Sequence, residues 1–186
     1  MKVILIGYRA TGKSTVGLLL SKRLKVPFVD TDQLIEQAAS LSVKELIALE
    51  GWDKFREREA AVVASLDGQN IGVVATGGGA ILAEPNRVLL KKMGVLVWLT
   101  APLADIVERL KRDEQTAASR PQWTSGSLDA ETAAVLKERL PIYETIADFT
   151  VDTRNKSVVR VADDVYQRLL EAGIVFEINK LKKVKK

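Results

Sequence analysis

Lys13, Ser14 and Thr15 close the stretch GYRATGKST, Gly7 to Thr15, which matches the pattern G-x-x-x-x-G-K-[ST]. It lies directly after an apolar run, KVILIG, and directly before a segment of helical periodicity, TVGLLLSKRL. The order has a physical reason. Backbone N–H groups from Gly7, Ala10, Thr11 and Gly12 and from the start of the helix must converge on phosphate oxygens. Lys13 must reach the β- and γ-phosphates, and the Ser14 hydroxyl must ligate Mg²⁺. The stretch therefore predicts a nucleoside triphosphate site.

Such a site needs an acid near the metal, and the third apolar run, IGVVAT, ends in Thr76 and glycines instead. Acids follow the second run, in FVDTDQLIEQ, as Asp30 and Asp32. Alternation along a continuing strand points both side chains the same way. Asp30 is then placed to organise Mg²⁺ and its waters, and Asp32 to face a phosphoryl acceptor. The competing reading is that one of them merely caps the helix beginning near Gln33.

Two arginines fall on apolar helix faces. In GWDKFREREAAVVASL the positions Phe55, Val62, Val63 and Leu66 set a stripe that includes Arg56 and Glu59 and leaves out Lys54, Glu57 and Arg58. In AAVLKERLPIYETIAD the stripe Leu136, Leu140, Tyr143 takes in Arg139 and leaves out Lys137 and Glu138. Inward guanidinium groups need partners: an internal ion pair is one answer, and a small anionic, hydroxylated ligand is the other. The glycines Gly77, Gly78 and Gly79 in VVATGGGA supply no packing and cost backbone entropy, which marks a place where something other than core meets the chain.

These residues require a frame. Apolar, β-branched runs at 2–7, 27–30, 71–76, 95–100 and 148–152 alternate with helical segments, which predicts a parallel sheet wrapped by crossover helices. A last helix over Ser157 to Ala172 has Ser157 as N-cap and Gly173 as its stop. The expected organisation is one α/β domain over 1–173 followed by a basic tail, 174–186. The 186 residues contain neither Cys nor His, which excludes disulfides, thiol nucleophiles, zinc fingers and the Ser-His-Asp triad. A metal must be a hard one held by oxygen. The net charge of +4 belongs to the last ten residues, with five Lys and one Glu, so a nucleic-acid partner is not expected. No apolar run approaches the roughly 18 residues of a membrane span or forms a signal-peptide core, and the reading is cytoplasmic.

In order and spacing, the P-loop, DTD at 30–32, FR with Glu59, GGG at 77–79, RP at 120–121 and ERLPIYETIAD at 138–148 resemble the motif series of shikimate kinases. The resemblance covers residues 1 to about 172. It implies a three-layer P-loop fold of the nucleoside-monophosphate-kinase type, a five-stranded parallel sheet of order 2-3-1-4-5 with a mobile lid at about 113–127. It also implies a monomeric enzyme using MgATP and shikimate, with no nucleic-acid or membrane partner. Lys13 and Ser14 would serve phosphates and metal, and Asp30 the magnesium shell. Asp32 would hold the acceptor hydroxyls and take the proton of the attacking one. Arg56 and Arg139, with Glu59, would clamp the carboxylate beside Gly77, Gly78 and Gly79. Arg120 would close over the phosphates from the lid, and Asp152 with Arg109 would frame the adenine.

Four positions depart from the family pattern. Ala10 stands where many members have Gly, Trp52 where Glu is frequent, and Trp123 follows RPQ in the lid; the adenine loop lacks a proline. None removes a catalytic group. Gluconate and nucleoside-monophosphate kinases share the P-loop and lid but not the paired arginines and triple glycine. A nucleotide-dependent regulatory module, or a polyanion binder using the Lys tail, would need neither Asp32 nor Arg120.

Overall fold

Strand β1 (Lys2–Ile6) is buried at every position, and the other strands assemble on it. The computed structural model describes residues 1–112, 127–175 and 178. After β1 come α1 (Lys13–Leu24), β2 (Phe28–Asp30), α2 (Thr31–Ala39), α3 (Val43–Ser65) and β3 (Val73–Ala75). Then follow α4 (Glu84–Met93), β4 (Gly94–Thr100), α5 (Leu103–Arg112), α6 (Leu128–Ile146), β5 (Phe149–Asp152) and α7 (Val158–Glu171). The five strands run parallel in the order β2-β3-β1-β4-β5, with helices on both faces. The expected sheet is present, with four strands shorter than expected by one to three residues in all and β4 one residue longer, beginning at Gly94.

Alternation within each strand divides the core. Val3, Leu5, Val73, Val97 and Leu99 pack against Val16 and Leu20 of α1 and Val165 and Leu169 of α7. Ile4, Ile6, Val74, Leu96 and Trp98 pack against Val63 of α3, Leu90 of α4 and Tyr143 of α6. Ser157 caps α7 by accepting from the Arg160 N–H, and Gly173 ends it at φ 72°. The chain stays packed past that stop: Ile174, Val175 and Ile178 are buried in the first layer. No helix among the described residues is long and apolar enough to cross a membrane.

Because β3 lies between β2 and β1, three connections share one edge of the sheet. The loop after β1, the acids after β2 and the glycines after β3 are neighbours there, at the carboxyl ends where open α/β sheets bind ligands.

The first of these connections turns tightly. Thr11 Oγ1 and Lys13 Nζ both donate to the Tyr8 carbonyl, each at 2.8 Å. The turn carries Gly7 at φ 144°, Ala10 at φ 61° and Gly12 at φ 87°. Ala10 thus holds a left-handed conformation that its Cβ opposes by about 1–2 kcal/mol, which explains why glycine suits this position. Ala10→Gly removes that strain while loosening the unfolded chain, so a net gain of about 0.5–1 kcal/mol is expected by urea denaturation. An unchanged or lower midpoint would show that the strain is absent.

Candidate active site

Helix α1 has Gly12 as its N-cap, with no side-chain cap and no acid in its first turn, so its amino-terminal N–H groups and dipole are left for an anion. Lys13 is buried with its ammonium folded over the loop, and Ser14 Oγ donates to Asp30 Oδ2 at 2.5 Å. Asp30 Oδ1 accepts from the N–H groups of Asp32 and Gln33, at 3.0 and 3.3 Å. The capping reading therefore holds for Asp30, whose second oxygen is engaged with the P-loop. Capping also ends β2 at Asp30. Asp30 and Asp32 do not share a continuing strand, contrary to expectation: Asp32 reaches the site from the first turn of α2. Among the described residues no group of three or more carboxylates is placed to hold an ion. The oxygen donors here are one hydroxyl and one carboxylate, a set that suits Mg²⁺ taking its other ligands from phosphates and water.

The three glycines serve three different neighbours. A Cβ on Gly77 would lie 2.5 Å from Asp32 Oδ1 and 2.7 Å from Glu59 Oε1, and one on Gly79 would run into the Arg56 guanidinium. Gly78 differs. Its φ is not left-handed, and a Cβ there would lie no closer than 3.4 Å to any described atom, the Arg9 nitrogen. Among the described residues neither backbone strain nor crowding accounts for that glycine, which lines the pocket.

Helix α3 kinks at Gly51 (φ 82°, ψ 170°), and its second half carries the expected inward stripe. Arg56 donates to Glu59 at 2.6 Å and lies against the Trp52 ring, 5.3 Å from its centroid. Trp52 thus shapes the guanidinium corner as an aromatic wall. Burial pushes the Glu59 carboxyl up, while Arg56 and Arg139 pull it back toward ionisation. Helix α6 turns Arg139 and Tyr143 inward, and both donate to the Gly78 carbonyl, at 2.9 and 2.8 Å. Burial opposes the Arg139 charge and raises the Tyr143 phenol, which therefore stays a protonated donor.

These groups line a cleft that is open to solvent on one side and spans about 440 Å³ with that open space included. Its wall holds three guanidinium groups (Arg9, Arg56, Arg139) and two carboxylates (Asp32, Glu59), with Arg9 paired to Glu131 from behind, so that Arg56 and Arg139 are the guanidinium groups turned toward a small anion. Tyr8 and Arg9 also line it, although they occupy unconstrained positions of the P-loop pattern and were not expected there. A charged and an aromatic side chain in a loop fixed at the sheet edge were the available signal. At the other end of the loop Arg109 donates to Thr153 Oγ1 and carbonyl, at 2.9 and 3.0 Å, and to the Ala10 carbonyl at 3.4 Å. Asp152 is engaged differently, its carboxylate accepting from the Arg154 N–H within its own turn. Thr15 is exposed beside Ser14. Arg120 and Trp123, with nearly all of the expected lid, lie outside the described residues.

The family model described as shikimate kinase matches residues 9–170. The shikimate kinase of Syntrophus aciditrophicus is 42% identical over 174 residues, covering 89% of each chain. That of Geobacter sulfurreducens is 43% identical over 163 residues, covering 88% of this chain and 87% of its own. The solved shikimate kinase from Acinetobacter baumannii in complex with shikimate superposes with a TM-score of 0.85 at 32% identity, covering 92% of this chain and 93% of that one. With a phosphate loop, an arginine-lined cleft beside it and these similarities along nearly its whole length, the chain belongs to the shikimate kinase family.

Proposed function

We propose that the protein transfers the γ-phosphoryl group of ATP to the 3-hydroxyl of shikimate, giving ADP and shikimate 3-phosphate. The observation that carries this reading is the cleft beside the P-loop, where Arg56 and Arg139 face inward for an anion and Gly78 lines the wall with neither backbone strain nor crowding from the described residues to require it. A nucleotide acceptor, larger and more highly charged, gives no reason for that combination; gluconate is also a small hydroxylated carboxylate, and it is the family similarity that favours shikimate over it.

In this reading the uncapped start of α1 and the loop N–H groups hold the β- and γ-phosphates. Lys13 exchanges its hydrogen bond with the Tyr8 carbonyl for phosphate oxygens. Ser14 and Asp30 would hold Mg²⁺, which when bound neutralises charge on the phosphates and orients the one to be transferred. Asp32 binds the acceptor hydroxyls and takes the proton of the attacking one. Arg56 and Arg139 hold the carboxylate, Glu59 keeps Arg56 oriented, and the Gly78 backbone lies against the ring with Gly77 and Gly79 on either side. Arg120 adds positive charge at the transferring group, and Arg109 frames the base together with the turn that Asp152 stabilises. The enzyme is taken to act as a cytoplasmic monomer.

A coupled assay of ADP release tests the reading directly. Release should depend on shikimate and not on gluconate or nucleoside monophosphates; turnover indifferent to shikimate overturns it.

The clamp is tested by Arg56→Ala and Arg139→Ala. Each should raise the shikimate KM far more than the ATP KM, by an amount corresponding to about 2–5 kcal/mol for a buried carboxylate deprived of one charge-assisted hydrogen-bonding partner. Comparable effects on both substrates would mean that the two arginines do not act as a clamp. Gly78→Ala separates substrate room from backbone need. One methyl group entering the ligand's space should cost about 1–3 kcal/mol in acceptor binding, a fall of roughly ten- to a hundredfold in kcat/KM for shikimate. The melting temperature and the ATP affinity should stay near the parent values. A destabilised variant with proportionate losses for both ligands would mean that the glycine serves the fold.

A further inference from the structure

The P-loop brings a guanidinium of its own to the acceptor cleft. Arg9 lines the cleft, its side chain is 10% exposed, and its Nη2 donates at 3.1 Å to Oε1 of Glu131, a residue of the first turn of α6 that is itself 1% exposed. The Nε of Arg9 and the Oε2 of Glu131 are both buried with no other partner among the described residues. The two charges therefore answer chiefly each other. Glu131 does not line the cleft; it stands behind the wall that Arg9 forms.

An acceptor with a carboxylate at one end and hydroxyl groups at the other can meet this wall in two ways. Arg56 and Arg139 lie on the two helices flanking the glycine loop, whereas Arg9 belongs to the loop that receives the phosphates. A carboxylate drawn to Arg9 would turn its own negative charge toward the phosphoryl donor and carry the hydroxyl away from it. Buried charges attract strongly when uncompensated and weakly when paired, so the partner of Arg9 decides which end of the cleft wins.

We propose that Glu131 is a positioning residue for acceptor orientation, neutralising Arg9 from behind so that the carboxylate is drawn to Arg56 and Arg139. This rests on the reading of the acceptor as shikimate.

The test is steady-state kinetics and equilibrium titration of shikimate on Glu131→Gln, which keeps the shape of the side chain and removes its charge. Misoriented complexes withdraw enzyme at saturating but not at low acceptor concentration. The kcat and the shikimate KM should therefore fall together by about tenfold, the scale of one mispaired buried charge, with kcat/KM nearly constant. The shikimate Kd should tighten with the KM, a response that removing a purely structural ion pair does not give. The double variant Arg9→Met/Glu131→Gln, which removes the competing cation, should return kcat and KM toward the parent values. A raised KM in Glu131→Gln, unchanged constants, or a double variant no better than the single one overturns the inference. A parent protein with no shikimate-dependent turnover would instead overturn the reading of the acceptor, so the two failures are distinct.

Discussion

One backbone oxygen holds the acceptor cleft together. The Gly78 carbonyl accepts from both Arg139 and Tyr143, two residues one turn apart on α6. The neighbouring Gly77 N–H donates to Thr31 Oγ1 of α2 at 2.8 Å, and Gly79 allows the Arg56 guanidinium of α3 to lie against the backbone. Three helices are thereby fastened to one short connection after β3. A carbonyl accepting from a guanidinium and a phenol has both lone pairs engaged, which satisfies a buried polar group that would otherwise cost about 1–3 kcal/mol. Since the same hydrogen bonds bring Arg139 to the cleft, the fastening of the loop and the preparation of the anion site are one structural event.

The electrostatics of the cleft follow from that closeness. Burial disfavours the charge on Glu59 and on Arg139 alike, and the Arg139 charge offsets part of the cost of ionising Glu59. Arg56 and Arg139 repel one another across the same space. An anionic ligand between them relieves that repulsion, so a carboxylate is favoured by what the empty arrangement costs as well as by the bonds it makes. Glu59 offsets that repulsion from the Arg56 side, where it accepts at 2.6 Å, and Asp32 adds a second carboxylate to the same wall.

Much of this frame could be read from residues alone, because the signals were local. The P-loop is a contiguous pattern, the strands are β-branched runs, and the inward faces of α3 and α6 follow from a period of 3.6 residues. What could not be read required the tertiary arrangement. The pairing of Asp30 with Asp32 rested on strand alternation, but the Asp30 carboxylate caps α2 and stops the strand. The triple glycine read as one feature, yet a Cβ on its members would meet a carboxylate pair, the P-loop backbone at ordinary contact distance and a guanidinium respectively. Tyr8 and Arg9 were hidden in positions that the loop pattern leaves open. Ile174, Val175 and Ile178 follow a helix stop, and only the groove they fill shows that they belong to the core.

Helix α6 illustrates how a local conflict is resolved by place. Pro141 sits inside it, between Arg139 and Tyr143, and removes the N–H that would have bonded the carbonyl of residue 137, a defect worth about 3 kcal/mol in a helix interior. Pro141 and Lys137 both lie on the exposed side, so water can serve the freed carbonyl, and the Pro141 carbonyl gains the Thr145 hydroxyl at 2.7 Å. The defect is thus confined to the solvent face. On the opposite face Arg139 and Tyr143 keep the one-turn separation that lets both reach a single oxygen. A proline one residue earlier would move the missing bond to the carbonyl of Leu136, a buried residue on the face that makes the cleft, where no water is at hand. The position of the proline, and not its mere presence, is what the anion site tolerates.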